Sequence, residues 1–564
     1  MTSNKRVILK LCPFIFPVFL ALLFHFPSLF CKFVWDDVNL IVNHQLIGNP
    51  GFVKEIFRRD YGLEFTSSPV GYYRPMFMLM NFVIYHAFGP SPVAYHAVGL
   101  LLFCCCTVLV VLACRKFLSG RDRRLAIWAA CILAVHPVRS EVVSLFMSQP
   151  DMMMEILALL FILAVGKAVK SADETGNAGF AGVTLFVVGM SVCLVAGLTK
   201  ENAFFIFPAM ALTVLLRSIV PGGAVLRGRP IALCLGALAG LGLAQWCSML
   251  AGIQRQHPAV QYVQGLFTSG SGRAVRYFVQ AVHDIFIPSH SIFMKEIHAG
   301  PSLVTGATLV ILVIVLAALW WILLVRGRLF YALLAAWFGA GIVSLMLMGT
   351  VHLPYSQRYL PAVPSVIGMC LIVRCGWRKL TNLCPRIAAR MENRRMVTLA
   401  IVAYIAMLGA FTLSASAKCL SPASFFTFMA DENPGFLYPR VELVKLMFGP
   451  YRDLRKMDDY FNQAVSLAPD SPEVRGLGKL MARRCFAEAR YEEAVRWLDW
   501  DIEVAGKDDE AFWLRAVCQA SMGNRGAASA SIEKALRIAP NNATYIDLRR
   551  ELGDITGPTM ELPK

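Results

Sequence analysis

The chain has 564 residues, of which 57% are hydrophobic and 16% charged, with a formal net charge of +17 and a mean hydropathy of +0.57. Soluble proteins carry about 25% charged residues and spread such a length over several domains, so a soluble fold is excluded for most of the chain. The Lys and Arg fall largely in short loops between apolar runs, a topology pattern that implies a lipid bilayer and not nucleic acid as partner.

The first apolar stretch, from about Val7 to Phe30, follows Lys5 and Arg6. It is longer than a signal-peptide core, and no small-x-small cleavage site follows it. It reads as an uncleaved first span with its N-terminus in the cytoplasm. A helix needs about 20 apolar residues to cross hydrocarbon. On that rule the sequence predicts about eleven spans, some of them short, beginning near Val7, Pro92, Leu125, Met152, Gly179, Ala203, Pro230, Ser302, Phe330, Tyr359 and Val397. Pro75–Phe88 is apolar but short and reads as interfacial. The predicted fold class is all-α: a polytopic membrane helix bundle over residues 1–420, then a polar helical module over residues 431–553.

With the N-terminus inside, the cytoplasmic loops come out basic: Arg115 to Arg124, Arg217 to Arg229, Arg326 with Arg328, and Arg374 to Arg395. That agrees with the positive-inside rule. The opposite face then carries Trp35–Arg74, His136–Asp151, Thr199–Asn202, Ala251–Gly300 and Val351–Arg358. Because eleven is odd, the C-terminal module falls on the same side.

Asp36 and Asp37 follow the first span directly. Acids at membrane depth are costly, and two together fit a general base or a carboxylate that orients an acceptor; a solvated helix end is the plainer account. Arg74, within Tyr72-Tyr73-Arg74-Pro75, is suited to clamping a phosphate or to snorkelling. His136, Glu141 and Asp151 lie within one short segment; Asp151 is a candidate second acid and, after Pro150, also a candidate helix cap. Lys200 and Glu201 sit in a tight polar break, where Lys200 offers a point charge for phosphate and the pair also fits an ordinary hairpin turn. Arg358 and Tyr359 stand where the tenth span begins, with Arg358 at headgroup level.

Sixteen cysteines fall mostly in apolar runs without CxxC or Cys/His spacing, so they read as small hydrophobes with no disulfide or structural zinc expected. Two carboxylates are able to hold a divalent metal, but no ligand spacing demands one. No cofactor is required by the sequence.

In the C-terminal module, Ala516, Gly523, Ala528, Ala535 and Pro540 follow the small-residue and proline pattern of a tetratricopeptide repeat, with a period of about 34 residues. Tyr491 with Ala494, and Phe461, Ala464 and Pro469, mark two earlier units. Asp501 occupies a small-residue slot in the middle one. About three repeats are predicted, a solenoid suited to a peptide or protein partner.

The ordered series FVWDDVNLIVN, YYRP with a downstream PVAYHAVGLLLF, HPVRSEVV ahead of an Asp, LTKENA and RYLPAVPS resembles membrane glycosyltransferases of the GT-C class. Closest are the transmembrane-and-tetratricopeptide-repeat O-mannosyltransferases of the secretory pathway and their bacterial relatives. The resemblance covers the whole chain in outline and rests on the ordered set of motifs. It implies a polyprenyl-phosphate-linked sugar donor, active-site acids at Asp36 and Asp37, and matches at His136, Pro137, Glu141, Asp151, Lys200 and Glu201. Gln149-Pro150 departs from the Arg-Ala that relatives show before the downstream acid. Asp36 or Asp37 would orient or deprotonate a protein hydroxyl, with Asp151 and Glu141 as further acids. Arg74, Lys200 and Arg358 would neutralise the leaving phosphate; His136, Glu201 and Tyr359 would line the cavity; and the repeats would hold the acceptor. The short repeat array points to a bacterial inner membrane with a periplasmic active face, and the Asn542 to Thr544 sequon keeps the endoplasmic reticulum open. Lipid or polysaccharide acceptors, a flippase of lipid-linked sugars, and a non-catalytic scaffold remain alternatives.

Overall fold

The computed structural model describes residues 3–64, 71–119, 123–171, 178–220, 229–253, 295–296, 303–348, 352–353, 362–383, 394–469, 471–505 and 508–553. The chain forms two compact units, residues 1–422 and 423–564. Both are helical; among the described residues the strands are a two-residue antiparallel pairing of Lys295–Glu296 with His352–Leu353. Most of the Ala251–Gly300 segment, together with Arg358 and Tyr359, lies outside the described residues.

Every predicted span corresponds to a helix, from Ser3–His25 through Arg394–Lys418. Among the described residues six helices are long and apolar enough to cross a membrane, and a bent pair makes a seventh. Ala203–Arg217, Ile314–Val325 and Leu329–Gly341 are apolar but shorter. The protein is an all-α, polytopic membrane protein.

Punctuation is local. Pro75 and Pro92 each occupy a first helical position, where the missing N–H costs nothing and φ is preset. Between them Gly89 closes the Pro75–Phe88 helix at φ +65°, and its N–H donates to the Tyr85 carbonyl at 2.7 Å.

The third span does not run straight. Pro137 cannot donate to the helix ladder and disfavours helical backbone in the residue before it, so His136 turns extended at φ −76°, ψ 128°. The segment bends by 57° into a short 3-10 turn, the helix Ser140–Ser144, and a second 3-10 turn Phe146–Ser148 before Gln149–Ser171 begins. The Thr412 hydroxyl of the last helix donates to the Val135 carbonyl at 2.7 Å, which supplies a partner where the break interrupts the ladder.

The membrane core packs Phe103, Phe161, Phe207 and Trp337, all fully buried. Ala178–Thr199 and Arg229–Leu250 approach closely enough that a Cβ at Gly236 would stand 2.0 Å from the Phe186 carbonyl oxygen, and one at Gly240 2.2 Å from that of Met190. Small residues permit such backbone contact where lipid gives no hydrophobic drive for helix association.

The second unit is a succession of helices in which Leu437–Phe448 packs on Leu454–Leu467, and from Gly478–Ala487 to Ala543–Gly553 each helix packs on the next. Asp453, Ser471, Asp508 and Asn524 cap their helices through the N–H three residues on, satisfying otherwise orphan donors. Ala464, Ala494, Ala516, Ala528 and Ala535 are fully buried. Asp501 is also buried, and burial pushes its carboxyl up to about 6. Space for it comes from the facing helix: a Cβ on Gly478 would meet the Asp501 Cβ at 3.0 Å and the Trp497 carbonyl oxygen at 2.6 Å.

Candidate active site

Five segments meet beyond the end of the first helix. The chain leaves that helix through Phe26–Phe30 and reaches Trp35, whose φ of +54° is left-handed and strained for a bulky aromatic. This turn sends the next two acids in different directions.

Asp37 points inward and is fully buried. Its Oδ2 accepts the Phe146 N–H at 2.9 Å and its Oδ1 the Met147 N–H at 2.8 Å. Those amides are available because the break at Pro137 leaves Leu145 extended and begins a new turn. Burial raises the Asp37 carboxyl to about 7, against the two amide donors. Asp36 is partly exposed and makes no hydrogen bond or ion pair among the described residues. Burial lifts it to about 6, opposed by the Arg74 guanidinium. Asp37 is therefore an anchor, and Asp36 is the carboxylate left available for chemistry.

Arg74 is held on three sides. Its Nε donates to Glu201 Oε1 at 3.1 Å and its Nη2 to Oε2 at 2.9 Å. The rings of Tyr61 and Tyr72 lie 5.0 and 4.8 Å from the guanidinium carbon, within cation–π range. Asp60 sets these rings by accepting the Gly71 N–H at 2.7 Å, and Tyr61 N–H donates to the Tyr72 carbonyl at 2.7 Å. The pair with Glu201 keeps Arg74 charged, its affinity for the proton raised above the ordinary range. Its Nη1 makes no hydrogen bond among the described residues.

Lys200 donates to both oxygens of Asp151, at 2.7 and 2.8 Å, with Asp151 fully buried. The tight turn after Thr199 thus sends Lys200 to the head of the Gln149–Ser171 helix and its neighbour Glu201 to Arg74. Asp151 also feels the charges of Arg74 and Glu201, so the two ion pairs form one cluster. When all are ionised, Asp36, Asp151 and Glu201 face Arg74 and Lys200, three negative charges against two positive.

His136 and Glu141 sit apart from this cluster. His136 Nδ1 accepts the Val138 N–H at 3.2 Å and stabilises the break. Glu141 is buried in the short helix that follows, on the Asp37 side, where it and Asp37 both act on Cys419. The sequence reading missed Glu155, which is fully buried and receives Arg139 through two hydrogen bonds of 2.6 and 3.0 Å. A lone acid inside an apolar span was the available signal. The Phe146 and Met147 amides had no sequence signal, because any residue supplies an N–H.

The chain is similar to animal protein O-mannosyl-transferases. It is 26% identical over 211 residues to TMTC3 of Mus musculus, covering 36% of this chain and 22% of that protein. TMTC1 of Homo sapiens is 31% identical over 189 residues, 32% of this chain and 21% of the relative. TMTC4 of Mus musculus is 29% identical over 214 residues, 34% and 28% of the two chains. The matches span between a fifth and a third of the length of these relatives. No family model matches the chain, and no solved structure matches it.

Proposed function

We propose that the protein is a membrane glycosyltransferase that moves a sugar from a polyprenyl-phosphate carrier to a protein hydroxyl on the non-cytoplasmic face. The observation that carries this reading is the division of labour between adjacent acids: Asp37 is consumed by two backbone amides, while Asp36 stands unpaired beside an aromatic-clamped arginine. The names of the relatives, protein O-mannosyl-transferases, support the reaction class and a protein acceptor.

In this reading the acceptor oxygen attacks the sugar's anomeric carbon as its proton passes to Asp36. The bond from that carbon to the phosphate oxygen breaks, and the polyprenyl phosphate leaves with the electron pair. Arg74 turns its remaining Nη1 edge to the phosphate, and Lys200, paired with Asp151, adds positive charge, stabilising charge as it develops. Because both cations are already paired, they are oriented before substrate arrives and need no reorganisation. Arg358 and Tyr359 are proposed to complete the phosphate side. His136 and Glu141 support the break that delivers the Asp37 anchor.

The helix pairs of the second unit, with buried alanines at the tetratricopeptide positions, support a repeat array that holds the polypeptide acceptor and raises its effective concentration. The animal origin of the relatives weighs toward the endoplasmic reticulum over the bacterial inner membrane.

The test is mass spectrometry of exported proteins from cells with and without the gene, and with Asp36→Asn. Loss of a hexose mass from Ser or Thr peptides in both is expected. A change confined to membrane lipid would replace the protein acceptor with a lipid one. Unchanged glycans in Asp36→Asn would remove the enzyme reading.

A further inference from the structure

Behind Asp37 the two ends of the membrane unit meet. Cys31 follows the 3-10 turn that closes the first helix, and Cys419 follows the last helix directly. The Lys32 N–H donates to the Cys419 carbonyl at 3.3 Å, and the Cys31 thiol donates to the Ser416 carbonyl at 3.6 Å. The Cys419 N–H also donates to the Ser416 carbonyl, at 3.1 Å, so the Cys31 thiol and the Cys419 backbone share one acceptor. Cys31 is 1% exposed and Cys419 fully buried. The last helix packs along both the first helix and its 3-10 extension, so this meeting belongs to the packed core of the unit.

Cys31 and Cys419 are thus held side by side by the Lys32–Cys419 backbone bond and the shared Ser416 carbonyl, and a bridge is ruled out only when two cysteines stand too far apart or their side chains point apart. Both stand at helix ends, unlike Cys105, Cys131 or Cys193, which lie within long apolar helices. The same end of the bundle carries the candidate active site.

We propose that Cys31 and Cys419 form a disulfide in the mature protein, clamping the first helix to the last behind the Asp36–Asp37 turn. The proposal rests on the reading that this face lies outside the cytoplasm, where disulfides persist. The oxidant is the disulfide of a thiol oxidoreductase of that compartment. One cysteine thiolate attacks it, the second displaces the resulting mixed disulfide, and the oxidoreductase leaves as a dithiol carrying the two electrons and two protons. Because both thiols become inaccessible in the folded unit, the exchange occurs as the last helix docks. The bridge would fix the chain at Cys419, just before the second unit begins, and would hold the Asp37 turn against the break that anchors it.

The experiment blocks free thiols in denatured whole membranes with N-ethylmaleimide, then reduces and adds a polyethylene-glycol maleimide, reading the shift on a gel. Two additions are expected for the wild-type chain and none for Cys31→Ser or Cys419→Ser. No addition in the wild type, or two additions persisting in either variant, overturns the proposal. An epitope inserted at the exposed Gly48 and probed on intact membranes reports the face without using cysteine. If the epitope is non-cytoplasmic and the wild type takes no addition, the bridge fails while the topology stands. A cytoplasmic epitope with no addition removes both.

Discussion

The carboxylate of Asp37 and the backbone of Phe146 are joined by a 2.9 Å hydrogen bond across the helix break that follows Pro137. Met147 adds a second amide to the same carboxylate at 2.8 Å. The turn after the first helix is thereby tied to the head of the Gln149–Ser171 helix, and its neighbour Asp36 is set facing the Arg74 cluster. This single anchorage separates a structural acid from an available one.

Substitution separates the two acids. Asp37→Asn replaces one acceptor oxygen by a donor that faces an N–H, leaving a buried amide unsatisfied at a cost of about 1–3 kcal/mol. Lower expression and a lower melting temperature in detergent are expected. Asp36→Asn is expected not to lower the melting temperature and to lose at least about 100-fold in transfer rate, the scale of general base catalysis. Equal destabilisation by both changes would contradict the assignment.

The raised carboxyls give a pH signature. A base must be ionised, so with Asp36 lifted to about 6 transfer should fall as pH drops through that value. Stability runs the other way. The folded chain holds protons on Asp36 and Asp37 more tightly than the unfolded chain, so their contribution to folding is present at low pH. It is lost as pH rises through about 6 and about 7. Transfer assays and thermal melts across pH 5 to 8, on wild type and Asp37→Asn, read both slopes; a rate flat across this window would count against Asp36 as base.

The Lys200–Asp151 pair is buried, and removing one partner leaves a charge without compensation. Lys200→Met and Asp151→Asn are each expected to cost about 3–5 kcal/mol, and the double variant much less than their sum. A double-mutant cycle on melting in detergent measures the coupling, and strict additivity would show that the pair is not coupled.

Arg74 is held by a fork to Glu201 and by two aromatic faces, none of which an ammonium reproduces. Arg74→Lys should raise KM for the lipid-linked donor by about tenfold or more, the scale of one charge-assisted hydrogen bond. A variant that changes only kcat would place Arg74 away from donor binding.

In the second unit Gly478→Val should disturb the packing around Asp501, since even a Cβ would stand 2.6 Å from the Trp497 carbonyl oxygen. Overpacking of this kind costs about 1–3 kcal/mol. Limited proteolysis of the full chain should show faster cleavage within residues 423–564 and an unchanged pattern in the membrane unit.

Much of this protein is readable without coordinates. Hydrocarbon requires long apolar helices and places basic residues in the loops, so class and helix positions follow from hydropathy alone. The second unit is legible as a change to polar, charged sequence with helical spacing, and the alanines picked out by that spacing, such as Ala494 and Ala535, are buried. Asp36, Asp37, Arg74, Asp151, Lys200 and Glu201 stand out because charge at membrane depth is rare. Their partnerships were hidden, however, since Arg74 with Glu201 and Lys200 with Asp151 join residues far apart in the chain, and an ion pair leaves no periodic trace.

The sequence by itself determined a helical membrane unit followed by a more polar helical unit, because burial in lipid constrains residue type position by position. Only the tertiary structure decided which of two adjacent aspartates is committed, because that depends on backbone amides of Phe146 and Met147 brought into reach by a helix break. Hydrogen-bond donors of the main chain belong to every residue, and only folding selects the two that meet Asp37.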